Sequence, residues 1–164
     1  MGMKLNPIGV VHTPFTEADG TPIQPRMVEE AEGWIEIVPE WRDALKDLDG
    51  FERIWLLCWF HRAAPPRCIV KPYMDDSMRG LFATRAPSRP NPIGLSCVRL
   101  LAIEEGVLKV SEVDILDGTP LLDIKPYHPG FDCWPEARGG WLDGVDASKW
   151  AGTTADGRFE NKSK

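Results

Sequence analysis

A proline-rich stretch near the middle of this sequence holds two arginines in a setting suited to binding an anion. Residues 84–94 read Thr-Arg-Ala-Pro-Ser-Arg-Pro-Asn-Pro-Ile-Gly, with Arg85 and Arg89 four residues apart. The prolines restrict their own φ angles and the backbone of each preceding residue, which stiffens the stretch. A preorganised guanidinium loses little entropy when it pairs with a carboxylate or a phosphate. The stretch therefore predicts an anion-binding loop, and a rigid connection with solvated arginines is the structural alternative.

A second group of polar residues lies in the segment 114–127. Asp117-Gly118-Thr119-Pro120 has the composition of a turn. The backbone groups of such a turn, beside the Asp117 carboxylate, are suited to ribose hydroxyls, an amino group or an adenine edge. Asp123 and Lys125 are two residues apart, so they share one face of a strand. This spacing predicts a simple ion pair as readily as a catalytic role.

The third group is the pair His61-Arg62, which directly follows the apolar run 53–60. Polar residues at the point where a buried strand emerges often line the mouth of a barrel, where ligands bind. A histidine in such a place is able to accept a proton near neutral pH. His61 is therefore a candidate catalytic residue, with a hydrogen-bonded, purely structural histidine as the alternative. Asp117 and Asp123 are the other candidates, because a carboxylate near the barrel mouth is also able to accept a proton.

The charge of the chain is unevenly distributed. The net charge is −6, which by itself argues against nucleic acid as a partner. Residues 60–99 nevertheless contain seven basic and two acidic side chains, so this segment carries +5 and the remainder −11. If the fold gathers these cations on one face, an acidic protein still presents a surface that binds anions.

Several classes of protein are disfavoured by what the sequence lacks. The four cysteines, Cys58, Cys68, Cys97 and Cys133, do not form the close pairs that structural zinc sites use. There is no glycine-rich dinucleotide fingerprint and no serine elbow. No apolar run approaches the roughly 20 residues of a membrane span. We expect a cytoplasmic protein with no metal and no membrane association.

Short strand-like segments separated by turns dominate the chain. We predict strands at 6–12, 34–38, 53–60, 81–84, 95–103, 107–116 and 121–124, with a helix at 40–48 that Pro39 opens and Gly50 ends. The continuous apolar run 53–60 predicts a strand buried on both faces. The fold class is mainly β, a small closed or nearly closed β-barrel of about seven strands with one short helix. Residues 1–130 form the barrel domain, and residues 131–164 a carboxy-terminal extension that is partly disordered.

These motifs resemble the TsaA-like family, the TrmO-type S-adenosylmethionine-dependent transfer-RNA methyltransferases, over residues 8–127. The chain is similar to the short, YaeB-like form, which lacks the carboxy-terminal domain of longer members. The resemblance is carried by Ile8-Gly9-Val10, Gln24, Phe60-His61, Phe82-Ala83-Thr84-Arg85, Arg89-Pro90-Asn91-Pro92-Ile93-Gly94, Asp117-Gly118-Thr119-Pro120 and Asp123-Ile124-Lys125-Pro126-Tyr127.

The resemblance implies a β-barrel methyltransferase that acts as a homodimer, with S-adenosyl-L-methionine as cofactor and tRNA as partner. It implies methylation of N6 of N6-threonylcarbamoyladenosine at position 37, next to the anticodon. Carried over by position, the cofactor-binding residues are Pro22, Ile23, Gln24, His61, Arg62, Arg85, Leu95, Asp117, Gly118, Thr119 and Pro120. We assign substrate binding to Arg89, Asn91, Lys125 and Tyr127.

Two other functions remain open on the sequence. One is a non-catalytic module that senses S-adenosylmethionine and contacts a partner through its arginines. The other is a methyltransferase for a small nucleoside or metabolite. Binding to RNA is expected to weaken steeply with added salt because counterions are released, whereas a small acceptor is expected to show little salt dependence.

Overall fold

Six antiparallel strands of this protein close into a barrel. The structure is a computed structural model and describes residues 4–25, 31–149 and 153–161. The strands of the barrel follow one another in the order β1-β2-β7-β6-β3-β8. Their bounds are β1 Gly9–His12, β2 Glu32–Ile37, β3 Arg53–Trp59, β6 Ile93–Glu104, β7 Val107–Ser111 and β8 Thr119–Pro126. The predicted closed barrel is confirmed, with six strands where about seven were expected.

The alternation of β3 shows how the barrel is filled. Ile54, Leu56 and Cys58 point inward and are almost completely buried, whereas Trp59 on the outer face is exposed. The prediction that this run is buried on both faces is wrong. The outside of the barrel is solvated here, and the apolar outer residues of β3 gave the run its continuous hydrophobicity.

Two predicted turns are present. Glu105 and Gly106 join β6 to β7 with φ angles of 51° and 84°, which is the left-handed conformation that a tight hairpin needs. Gly118, with a φ of 74°, lies in the turn that leads into β8. Because glycine has no Cβ, it adopts this conformation without steric cost.

The helical segments are short. The predicted helix at 40–48 is replaced by two 3-10 helices, Pro39–Leu45 and Leu48–Gly50, separated by Asp47 with a φ of 65°. An α-helix, α1, covers Pro129–Asp132, and further 3-10 helices cover Leu81–Ala83, Gly140–Gly144, Ala147–Lys149 and Gly157–Phe159. None of the helices in the described ranges is long and apolar enough to cross a membrane.

The predicted strand at 81–84 is wrong, because this segment closes on itself. The hydroxyl and the backbone N–H of Thr84 both donate to the carbonyl of Leu81, at 2.8 and 3.1 Å. This local bonding occupies the groups that a strand would offer to a neighbour. A two-stranded sheet, β4 Ile69–Val70 with β5 Arg79–Gly80, lies just before it.

A second, smaller core lies beside the barrel. Val70, Leu81 and Ala86 are buried together with Phe159. Residues 153–161 therefore pack on the segment 60–92, and two isolated bridges, Pro22 with Thr154 and Ala63 with Glu160, extend the contact. The domain boundary at residue 130 stays a prediction.

Candidate functional site

Three long connections leave the barrel at the same end. They are residues 13–31, 60–92 and 112–118, and they follow β1, β3 and β7. We call this end of the barrel the loop end. Since each connection contains at least one of the predicted site segments, closure of the barrel brings these segments to one side of the molecule.

The turn at Asp117 is held in place by the last residue of β1 and by residues that follow β1 in the chain. Thr13 donates its backbone N–H to Asp117 Oδ1 at 3.1 Å, and His12 Nδ1 lies 3.3 Å from the same oxygen. The N–H of Asp117 donates to the carbonyl of Phe15 at 2.7 Å. The turn is therefore rigid, and the Asp117 side chain remains partly exposed to a ligand. His12, which is not among the predicted site residues, therefore helps to hold this turn.

Arg85 and Gln24 meet across two connections. Arg85 Nη1 donates to Gln24 Oε1 at 2.7 Å, although 61 residues separate them in sequence. No carboxylate of the described residues lies within ion-pair distance of Arg85. The pair thus presents an exposed guanidinium whose charge is unneutralised, as binding of an anion requires.

Arg62 was predicted to line the barrel mouth with His61 and to bind the cofactor, but its side chain is engaged in ion pairs within the protein. Its guanidinium donates to the carbonyl of Thr16 at 2.6 Å and to Glu17 Oε2 at 3.0 Å, and it also pairs with Glu160. Burial lowers the pKa of Arg62, but these carboxylates outweigh burial and raise it overall. The side chain fastens the carboxy-terminal segment to the loop end. If Arg62 binds the cofactor, it must do so through its backbone, or the cofactor must displace Glu17 or Glu160 from the guanidinium. His61 is exposed and stacks edge-on against Trp59, with ring centroids 6.2 Å apart.

Arg89 also holds the chain in place. Its Nη1 lies 3.0 Å from the carbonyl oxygen of Thr84 and 3.4 Å from those of Leu81 and Ala86, and its guanidinium lies 5.5 Å from the ring centre of Phe82. These contacts stabilise the turn that carries Arg85. The side chain of Asn91 is exposed.

The cationic segment 60–99 is therefore only partly a free surface. Arg62, Lys71, Arg79 and Arg99 each pair with a carboxylate. Within the described ranges, Arg67, Arg85 and Arg89 make no such pair. The charge available for an anionic partner is smaller than the sequence count of seven suggests.

A carboxyl that the sequence analysis passed over lies at the loop end. The Asp114 side chain accepts a hydrogen bond from Ser96 Oγ at 2.6 Å. Burial raises the pKa of Asp114 to about 6, although the bond from Ser96 and the charge of Arg85 both lower it. Asp114 lies three residues before Asp117 in the segment 114–127, but nothing in this spacing indicates that the side chain of Asp114 is buried.

Four other predicted residues lie on the outer face or toward the opposite end. Leu95 is exposed on the outside of β6. Lys125 Nζ pairs with Asp123 Oδ2 at 2.9 Å, and Tyr127 packs against Trp55. Since a strand advances about 3.3 Å per residue, Tyr127 lies roughly 25 Å along β8 from Thr119. Within one chain, Lys125 and Tyr127 are not brought together with the turn at Asp117.

An apolar groove of about 470 Å³ lies at the opposite end of the barrel. Trp41, Phe51 and Ile37 line it, and Asp123 contributes to its edge. Its wall contains none of the loop-end polar groups. In the described part of the chain, no cluster of three or more histidine, cysteine or acidic residues is arranged to hold a metal ion.

Comparison with known proteins assigns the family. The family model described as the tRNA-methyltransferase O N-terminal domain matches residues 10–133. The chain belongs to this family. The TrmO N-terminal domain therefore covers the barrel and all the predicted site residues.

Relatives and solved structures are similar over most of the chain. A Pyrococcus abyssi protein named "Probable S-adenosyl-L-methionine-binding protein" is 48% identical over 93% of this chain and 83% of its own length. The Escherichia coli tRNA (adenine(37)-N6)-methyltransferase is 34% identical, over 88% of this chain and 66% of its own length. The crystal structure of TrmO from Pseudomonas aeruginosa is 41% identical with a TM-score of 0.72, over 85% of this chain. This chain spans 62% of that solved chain.

Proposed function

We propose that this protein is an S-adenosylmethionine-dependent methyltransferase that methylates transfer RNA. The finer proposal is methylation of N6 of N6-threonylcarbamoyladenosine at position 37, next to the anticodon. The observation that carries it is the convergence, at one end of the barrel, of the Arg85–Gln24 pair and the rigid turn at Asp117. The family model and the relatives' names support methylation of transfer RNA, whereas the threonylcarbamoyl group of the acceptor comes from the family resemblance. We also propose that the protein is located in the cytoplasm.

The loop end offers groups that match the chemistry of S-adenosylmethionine. Arg85 is an unneutralised cation, which suits the carboxylate of the methionine part. Asp117 is a fixed carboxylate, which suits ribose hydroxyls or the ammonium group. The bound cofactor supplies an electrophilic methyl group on a sulfonium. The task of the protein is then to orient the acceptor nitrogen and to remove its proton.

The substrate side of the proposal depends on the remaining cations. Arg67 and Arg89 make no ion pair in the described ranges and lie in the same connection as Arg85. Arg67 is available to phosphates or to the threonyl carboxylate of the modified base, and so are the guanidinium nitrogens of Arg89 other than Nη1, which contacts backbone carbonyls. We assign Asn91 to the same surface. Because phosphate contacts release counterions, the affinity for RNA is expected to fall steeply with salt.

A homodimer completes the proposal. Trp59, Ile93 and Leu95 are exposed on the outside of two neighbouring strands, and Trp59 is the register partner of Ile93. Adjacent exposed apolar side chains on a sheet face are typical of an interface between copies. A second copy on this face would bury Leu95.

Methyl incorporation from labelled S-adenosylmethionine tests the proposal. The RNA is a transfer RNA that carries threonylcarbamoyladenosine but lacks the methyl group. We expect incorporation by the wild-type protein and a loss of at least tenfold in cofactor affinity in Arg85→Ala, because a charge-assisted contact of about 1.5–3 kcal/mol is removed. Arg99→Ala is the matched control, since Arg99 is exposed and, among the described residues, pairs with Glu52 alone.

The outcomes separate the rival functions. Cofactor binding by calorimetry without incorporation into any RNA would indicate the non-catalytic sensor. Turnover on a free nucleoside, with no dependence on the anticodon stem, would indicate a small-molecule methyltransferase. Equal affinities of Arg85→Ala and Arg99→Ala for the cofactor would contradict the site.

A further inference from the structure

Asp114 is a carboxyl placed against the inner walls of the barrel at the loop end. Ser96, on the inward face of β6, donates its hydroxyl hydrogen bond to Asp114 Oδ1 at 2.6 Å. Cys58, on the inward face of β3, is close enough that the charge of Asp114 adds to burial in raising the pKa of the thiol to about 12. Two strands of the barrel thus face this carboxyl from inside.

The carboxyl has no fixed counter-ion among the described residues, where no cation lies within ion-pair distance of it. The charged group that acts on it is the exposed guanidinium of Arg85, from the 60–92 connection. Arg85 is also the cation that we assign to the cofactor. Asp114 and the cofactor-binding groups therefore act on one another electrostatically at the same end of the barrel.

A structural role does not explain why this residue is an acid. Packing and the bond from Ser96 require only an oxygen acceptor, which asparagine supplies without charge. Burying a carboxylate that lacks a counter-ion costs stability, and such a cost is typical of functional sites. Because the pKa of Asp114 is raised to about 6, the group is mostly ionised at neutral pH and yet binds a proton more readily than an ordinary carboxylate.

The proposed reaction needs a group with these properties. The acceptor nitrogen of threonylcarbamoyladenosine lies between an adenine ring and a carbonyl, so its lone pair is delocalised and it is a weak nucleophile while it keeps its proton. Methylation forms an N–C bond and breaks the C–S bond, whose electron pair remains on sulfur. The proton on nitrogen must pass to a base and then to water.

We propose that the Asp114 carboxylate is the base that takes this proton, an inference that rests on the methyltransferase function proposed above. The proton passes to Asp114 Oδ2, while Ser96 keeps its bond to Oδ1. Ser96 orients the carboxylate and stabilises its charged form. Of the candidates predicted from the sequence, Asp117 is occupied by Thr13 and His12, Asp123 pairs with Lys125, and His61 is exposed outside the barrel.

The test combines single-turnover methylation of the modified transfer RNA with a direct titration of the carboxyl. We expect Asp114→Asn to lower the rate at pH 7.5 by about 10²–10⁴-fold, with the affinity for S-adenosylmethionine by calorimetry changed less than about threefold. The control is Glu104→Gln, an exposed carboxylate at the opposite end of the barrel that pairs with Lys109. The wild-type rate is expected to fall about tenfold per pH unit below pH 6, and the variant to lack this decline.

A second variant and a second readout exclude a merely structural effect. Carbon-13 NMR of labelled aspartate follows the Asp114 carboxyl without any reaction, in the free protein and with S-adenosylhomocysteine. Ser96→Ala removes the bond that favours the charged form, so the NMR midpoint and the midpoint of the pH–rate profile are expected to rise by the same amount. A structural role would not move the two together.

The possible failures are distinguishable. If Asp114→Asn methylates the RNA at the wild-type rate, or if Ser96→Ala shifts the NMR midpoint but not the kinetic one, Asp114 is not the base and the methyltransferase function stands. If the wild-type protein binds the cofactor but methylates no RNA of this kind, the proposed function and the base assignment are both overturned.

Discussion

Replacing Asp114 by asparagine is expected to stabilise the protein at neutral pH. Folding raises the pKa of this carboxyl from 3.8 to about 6, chiefly because burial disfavours its charged form. The folded protein therefore holds the proton more tightly than the unfolded chain does. The cost of ionisation is absent below about pH 4, grows as the pH rises through the window from about 4 to 6, and is complete above it.

The size of the effect follows from the shift in pKa. A difference of about two units corresponds to about 3 kcal/mol, and partial exposure of the side chain reduces this to about 2–3 kcal/mol. Asparagine keeps an oxygen for the bond from Ser96 and carries no charge. We therefore expect Asp114→Asn to gain about 2–3 kcal/mol in free energy of unfolding at pH 7.5, and less than about 0.5 kcal/mol at pH 4.

Urea unfolding followed by tryptophan fluorescence at the two pH values measures this difference. Glu104→Gln is the control and is expected to change stability by less than about 0.5 kcal/mol at either pH, since Glu104 lies on the surface. A loss of stability in Asp114→Asn at pH 7.5, or an equal change at both pH values, would refute the claim that the folded protein disfavours the ionised carboxyl. A variant that is more stable but slower in methyl transfer would show that the acid is retained for function.

Two further predictions concern packing and assembly. A Cβ on Gly94 would collide with the ring of Phe60, so Gly94→Ala is expected to lower the free energy of unfolding, measured with urea, by about 1–3 kcal/mol. The control is Gly50→Ala, where the added methyl group contacts nothing and the free energy of unfolding should change little. Equal stabilities of the two variants would contradict the packing of Phe60 on Gly94. Leu95→Glu is expected to convert a dimer into a monomer in sedimentation velocity, while Ile69→Glu, at another exposed apolar position, leaves the dimer intact; a monomeric wild-type protein would contradict the interface.

Local patterns in the sequence were sufficient to predict the barrel and its main turns. The short strand-like segments and the turn at Glu105-Gly106 depend on neighbours in sequence, and both are present in the structure. The prediction of a strand failed where the backbone could form hydrogen bonds within its own segment instead of with a neighbouring strand. The segment 81–84 has strand-like residues, but the Thr84 hydroxyl bonds back to Leu81 and closes a 3-10 turn.

The candidate site was predictable as a set of segments but not as a set of contacts. The family resemblance implied that Arg85, Gln24 and the turn at Asp117 belong to one cofactor site, which stays a prediction; the barrel brings their connections to one end. It did not predict that Arg62 binds Glu160, 98 residues away, and so serves to fasten the carboxy-terminal segment. In the sequence, nothing distinguishes these two residues from other charged residues, because their contact forms only when the chain folds.

The sequence by itself determined the strand periodicity, the turns and the chemistry available at each position. These properties depend on a residue's own conformational preferences and on neighbours a few positions away. Only the tertiary structure decided which charges are neutralised, and that Asp114 lies against β6 and β3 with Ser96 as its partner. Burial and the distance between charges set the cost of ionising a group, and both come into existence only when strands distant in sequence close the barrel.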